Sequence, residues 1–158
     1  MADIAAFLGA LDDIPVETDR ALVRQKSRDF FWYSPVLKRQ LNKVCADAVV
    51  MPRSEDEVAR VLAAAVRHRV PVTPRGAGTG NYGQAMPIRG GIVLDLSALD
   101  RVVWTRADAV RTQCGAKLID IDAHARASVG AELRFHPSTK RTATLGGFIA
   151  GGSSGIGS

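Results

Sequence analysis

Cysteine is scarce in this sequence, with Cys45 and Cys114 its only two. They lie far apart and form no C-x-x-C pair, which excludes a zinc ribbon and a disulfide framework and makes a reducing compartment the default. Three histidines, His68, His124 and His136, are equally scattered and do not make a metal site. Long apolar runs are missing too: none approaches the ~18 residues of a membrane span. The opening MADIAAFLGALDD carries acids where a secretory leader would carry bases, so a soluble, cytoplasmic product is expected. Aromatic residues are few, at 6% of the chain, and four of the nine are adjacent (Phe30, Phe31, Trp32, Tyr33). That leaves no periodic stripe on which nucleic-acid bases could stack. The charge excess is modest, 21 Lys and Arg against 16 Asp and Glu, and the bases are interspersed with acids. A nucleotide phosphate accounts for this balance without a nucleic-acid partner.

What the chain does have is enough apolar residues, 46% of 158, to build one core. A helical pattern runs from Thr18 to Val44, with Ser34-Pro35 supplying a cap and a first-turn proline. Residues 1–45 therefore read as a helical leader. Ala48 to Met51 (AVVM) reads as a strand. Ser54 and Glu57 then form a capping-box pair ahead of Val58, Val61, Leu62, Ala65 and Val66 at helical spacing, and Pro71 stops that helix. A second strand at Val70 to Thr73, a glycine-rich loop and a third strand at Ile92 to Leu96 complete a small parallel layer. The pattern then changes. Arg101 to Thr105 and Val110 to Cys114 read as a hairpin, and Leu118, Ile121, Ala125 and Val129 line one face of a helix that Gly130 ends. From Phe135 onward the chain reads as loop, closing on the glycine-dense GGFIAGGSSGIGS. Such a composition suits wrapping a ligand better than closing a fold.

Chemistry is concentrated in two loops. In Arg75 to Gln84, RGAGTGNYGQ, four glycines let successive backbone N–H groups turn toward one point, an arrangement that binds phosphate; the alternative is an ordinary glycine turn between strands. Gly78, Gly80 and Gly83 also spell G-x-G-x-x-G, the nicotinamide fingerprint, but that motif needs a helix to begin at the loop. Pro87, Gly90 and Gly91 forbid one. The closing GGSSGIG imitates the cofactor loop of short-chain dehydrogenases, yet it stands at the wrong end of the sequence to open a Rossmann sheet. Asp120 and Asp122 are two apart on one helix and face different ways, so they read as solvated, and His68 reads as complementing its helix dipole. The aromatic cluster reads chiefly as core packing between leader and body, the alternative being a surface left exposed by missing sequence.

Four segments in order, P-x-S-x-x-E-V at Pro52 to Val58, PVTPRGAGTGNYGQAMP at Pro71 to Pro87, GGIVLDLSALDRV at Gly90 to Val102, and HPSTKRTATLGGFIAGGSSGIGS at the end, carry a family resemblance. The chain from Asp47 resembles the FAD-binding domain of the vanillyl-alcohol oxidase and para-cresol methylhydroxylase (PCMH) superfamily, in its branch of glycolate oxidase flavoprotein subunits and D-lactate dehydrogenases. The resemblance implies an α+β fold of the PCMH type over residues 46–158: a parallel βαβ subdomain and a second α+β subdomain, incomplete at its carboxyl end. It implies FAD, with Arg75, Gly76, Ala77, Gly78, Thr79, Gly80, Gly83 and Gln84 at the pyrophosphate. Pro137, Ser138, Thr144, Gly146 and Gly147 would stand at the flavin and ribityl chain, with Gly151, Gly152, Ser153 and Gly157 approaching from the other side. Some relatives attach flavin covalently through a His next to the glycine loop. Thr79 occupies that place here, which implies noncovalent FAD. His136, beside Pro137, is a candidate polar contact. Complete members continue through a substrate-binding cap domain, so a hydroxy-acid substrate is implied only for a complete protein. The alternatives are a noncatalytic fragment and one chain of a split flavoprotein with a completing subunit; catalytic residues are not assigned.

Overall fold

The computed structural model describes residues 2–157. In chain order the elements are α1 (Ile4–Gly9), β1 (Val16–Glu17), α2 (Arg20–Lys26), a 3-10 turn (Phe31–Tyr33), α3 (Pro35–Leu41), β2 (Ala48–Val50), α4 (Glu55–His68), β3 (Val72–Arg75), β4 (Ile92–Asp95), β5 (Val102–Thr105), β6 (Val110–Thr112), α5 (Leu118–Val129) and α6 (Leu145–Ala150).

The first sheet has the order β1-β2-β4-β3. Strands β2, β4 and β3 are parallel, Val49 pairing with Val93 and Thr73 with Val93, while β1 is antiparallel on the β2 edge. Both β2 and β4 are buried throughout, the behaviour of parallel strands covered on two faces. Alternate residues divide between those faces. Ala48, Val50, Ile92 and Leu94 join Phe7, Leu11 and Ile14 from the leader and Val61, Ala64 and Ala65 of α4 in one core cluster. Val49 and Val93 point the other way, against Val23 of α2 and Ala46.

Local chemistry fixes α4. Ser54 Oγ accepts the Glu57 N–H at 3.1 Å, Glu57 Oε2 accepts the Arg53 N–H at 2.6 Å, and the first turn carries three acids. Arg69, with φ at 55°, ends the helix in a left-handed turn before Pro71. The second unit pairs β5 with β6 antiparallel, and Leu118 and Ile121 of α5 are buried in one cluster with Ala116 and Ala143.

Several expectations shift. The single helical pattern over 18–44 resolves into α2, the 3-10 turn and α3. Thr144, capping from the side chain, starts a short helix, α6, inside the segment that reads as loop. The second strand begins at Val72 rather than Val70, because Val70 closes the α4 turn through its N–H to Ala65 O. Of the aromatic cluster only Phe31 is core; Trp32 and Tyr33 are 44% and 68% exposed and lie against each other at 4.2 Å. Asp122 is not solvated either: it is buried (5% exposed) and accepts hydrogen bonds from Lys140, Arg126 and the Leu133 N–H, whereas Asp120 is exposed.

Candidate functional site

The glycine-rich loop leaves β3 at Arg75 and runs across the carboxyl end of the parallel sheet, the usual position for a ligand in an open α/β sheet. It forms a wall shared by two recesses. The larger, about 740 Å³, is lined on one side by Arg75, Gly76, Ala77, Gly78, Thr79, Gly80 and Gln84, and on the other by Pro137, Ser138, Thr144, Gly147, Gly151 and Ser153. Two segments that are some sixty residues apart in sequence thus face one cleft. The smaller, about 520 Å³, shares Arg75, Gly76, Ala77 and Thr144 and adds Lys26, Asp100 and Lys117.

Four expected residues do not line the cleft. Gly83 is buried and its N–H is held at 2.9 Å by Asp29 Oδ2. Gly146 lies against the chain at Cys114, donating its N–H to Cys114 O at 2.8 Å. Gly152 donates to Ile149 O at the end of α6, and Gly157 passes close to the Arg134 carbonyl. Gly146 and Gly157 serve close backbone approach, while Gly83 and Gly152 hold left-handed turns, so the same residue type carries several uses that composition alone does not separate. Conversely, Asn81, Tyr82, Thr139, Phe148, Ser154 and Ile156 line the cleft without having been singled out from sequence. Their signal was only proximity to the glycines. His136 is half-buried, pairs through its backbone with Ile156, and has Nδ1 3.1 Å from Pro137 O.

Arg75 stands at the start of the loop, within reach of the carboxylates of Asp95 and Asp29. Arg75 donates through Nη1 to Arg28 O at 2.7 Å, and its guanidinium lies where a side chain at Gly78 would have to go. Burial lowers the pKa of Arg75, while Asp95 and Asp29 oppose that shift. Burial also disfavours the charge of Asp95, but hydrogen bonds from Lys26 Nζ (2.7 Å) and Ser97 outweigh it and hold this carboxyl below its ordinary range. The N–H groups of Gly76, Ala77, Gly78 and Thr79 have no hydrogen-bond partner among the described residues. Successive unpaired amides beside an Arg are the kind of donor set that anion-binding loops use.

Residues 46–158 match the FAD binding domain family. The chain belongs to that family. FAD is therefore its cofactor, and the donor chemistry of the unpaired loop amides fits its pyrophosphate; an added Cβ at 76, 78 or 80 would run into the side chains of Thr144, Arg75 and Gln84. The chain is 33% identical over 111 residues to the glycolate oxidase subunit GlcD of Bacillus subtilis (strain 168), covering 70% of this chain and 24% of that one. It is 36% identical over 118 residues to the D-2-hydroxyglutarate dehydrogenase of Escherichia coli (strain K12), covering 71% of this chain and 11% of that one. The chain thus spans about a quarter or less of these relatives. Among solved structures, an alkyldihydroxyacetonephosphate synthase superposes with a TM-score of 0.80 at 22% identity, over 94% of this chain and 29% of that one. Phl p 4, a grass pollen allergen with glucose dehydrogenase activity, does so at 0.73 and 19% identity, over 95% and 32%. These structures show the PCMH-type fold. No helix of the described residues is long and apolar enough to cross a membrane.

Proposed function

We propose that this chain is the FAD-binding part of an oxidoreductase that acts on a 2-hydroxy acid of the glycolate or D-lactate type, and that it holds FAD noncovalently. The observation that carries the reading is the cleft in which both glycine-rich segments meet, with unpaired amides from Gly76 to Thr79 on one wall. When bound, FAD supplies the hydride-accepting chemistry. The residues of this chain bind and orient it: the loop amides and Arg75 take the diphosphate, while Pro137, Ser138, Thr144 and Gly147 border the remainder of the cofactor. The substrate class is supported by the glycolate oxidase and D-2-hydroxyglutarate dehydrogenase relatives.

Titration of the protein with FAD, followed by flavin fluorescence with NADPH as control, tests the cofactor reading. Saturable FAD binding with no NADPH response is the expected outcome; tight NADPH binding without FAD binding would overturn it. Acid precipitation of the loaded protein should leave the flavin in the supernatant, and flavin retained in the pellet would refute noncovalent attachment. For the substrate, the FAD-loaded protein, joined by its completing chain where there is one, should lose its visible flavin absorption anaerobically with glycolate or D-lactate. Loss with simple alcohols and not with hydroxy acids would refute the assignment.

A further inference from the structure

The leader lies outside the family match, yet it touches the phosphate loop at three points. Arg28 O accepts from Arg75 Nη1 at 2.7 Å, at the start of the loop. The Phe30 N–H donates to Gly80 O at 2.8 Å, at its middle. At its end, the Gly83 N–H donates to Asp29 Oδ2 at 2.9 Å, while Asp29 Oδ1 accepts the Phe31 N–H at 2.9 Å. Asp29 is 4% exposed. One buried carboxylate therefore ties the leader's 3-10 turn to the far end of the loop, and Leu41 of α3 closes over Gly83, its Cδ1 only 2.6 Å from where a Cβ would stand. Gln84 finishes the turn by accepting the Tyr82 N–H at 2.9 Å through Oε1.

We infer that Asp29 is a positioning residue for the pyrophosphate loop, setting the loop's curvature before any ligand arrives so that the amides from Gly76 to Thr79 converge. The inference rests on the FAD reading for its ligand, while the loop contacts it invokes are made within the chain itself. The chemistry favours a carboxylate. Two N–H donors, one from each segment, aim at its two oxygens, and an acceptor-only group satisfies both. Asn at this place has one oxygen and so satisfies one donor while presenting its own NH2 to the other. A loop whose amides are already aligned binds without the ordering cost that a mobile one incurs.

The test compares wild type with Asp29→Ala, Asp29→Asn and, as a control for general destabilisation, Val61→Ala, whose cavity lies in the sheet core away from the loop. Two readouts are taken well below each variant's melting temperature: amide hydrogen exchange of residues 76–84 without ligand, and affinity for FAD and for ADP. Asp29→Ala should raise exchange in the loop by about tenfold or more and weaken FAD and ADP alike by about tenfold to a hundredfold. Asp29→Asn should fall between it and wild type. Val61→Ala should melt earlier with loop exchange and affinities unchanged. Unchanged loop exchange in a folded Asp29→Ala protein overturns the inference, whether or not FAD binds. Wild-type protein that fails to bind FAD counts against the proposed function instead, and the exchange data still decide the role of Asp29. Should Asp29→Ala not fold, Asp29→Asn with wild-type loop exchange and affinity overturns the inference equally.

Discussion

Gly78 and Gly130 share the same backbone angle, φ of 67°, in different surroundings, and the pair isolates what the phosphate loop demands. At Gly130, the left-handed end of α5, nothing lies within 4 Å of an added Cβ. Gly130→Ala should therefore cost only the left-handed penalty, about 1 kcal/mol, or about 2–4 °C in Tm for a chain of this size. At Gly78 the added Cβ overlaps the Arg75 guanidinium. Gly78→Ala carries the same penalty and must also push away a half-buried cation that is bonded to Arg28 O. The two variants separate when FAD is added. FAD at a hundred times its Kd stabilises a binding-competent chain by about 2.7 kcal/mol, roughly 5–10 °C. Gly130→Ala should show that full shift. If Gly78→Ala weakens FAD a hundredfold, the same FAD concentration only equals its Kd, and the gain falls to about 0.4 kcal/mol, roughly 1 °C. Thermal unfolding by circular dichroism, with and without FAD, reads all four numbers. A Gly78→Ala protein that keeps the full FAD shift would refute the cradle argument.

Two further outcomes follow from packing and charge. Gly115→Ala should destabilise by about 3 kcal/mol, because its Cβ would overlap the Leu96 carbonyl and lie 2.8 Å from Leu99 O at the junction of the two units, where the Gly115 N–H already donates to Leu99 O; denaturant unfolding measures it, and a loss below about 0.5 kcal/mol contradicts the steric argument. For Asp122, burial opposes ionisation but bonds from Lys140, Leu133 and Arg126 prevail and hold its carboxyl well below the usual range. A lowered folded-state pKa contributes stability that is present above the unfolded value, near 3.9, and is lost as pH falls toward the folded one. Wild type should thus lose stability below about pH 4, and Asp122→Asn, less stable at neutral pH, should show a shallower acid slope. Parallel acid curves for the two proteins would sink this reading.

Much of the architecture is legible because the strongest local signals agree with tertiary use. The α4 box of Ser54 and Glu57, the apolar runs of β2 and β4, and the glycine loop all follow from short-range chemistry. What escapes has its cause elsewhere in the fold. Strand β1 is two residues long and exists through its pairing with β2. Helix α6 has two glycines in its first turn and poor intrinsic propensity; the Thr144 cap and the Leu145 N–H bond to Ala116 O hold it. For the site, sequence yields the glycine segments, and the resemblance yields their ligand, but residue type alone does not say which glycine amides are already spent on the fold, as those of Gly83 and Gly146 are. Nor does any pattern mark Asp29, whose partners are brought to it by folding.

The family match begins at residue 46, but the sheet does not. Phe7, Leu11 and Ile14 sit in the same cluster as β2 and β4, and β1 covers the β2 edge. An expression clone cut to the matched segment would expose that edge, with its unpaired backbone groups, as a template for self-association. Anyone grafting this cofactor module onto another scaffold should carry the first forty-five residues with it.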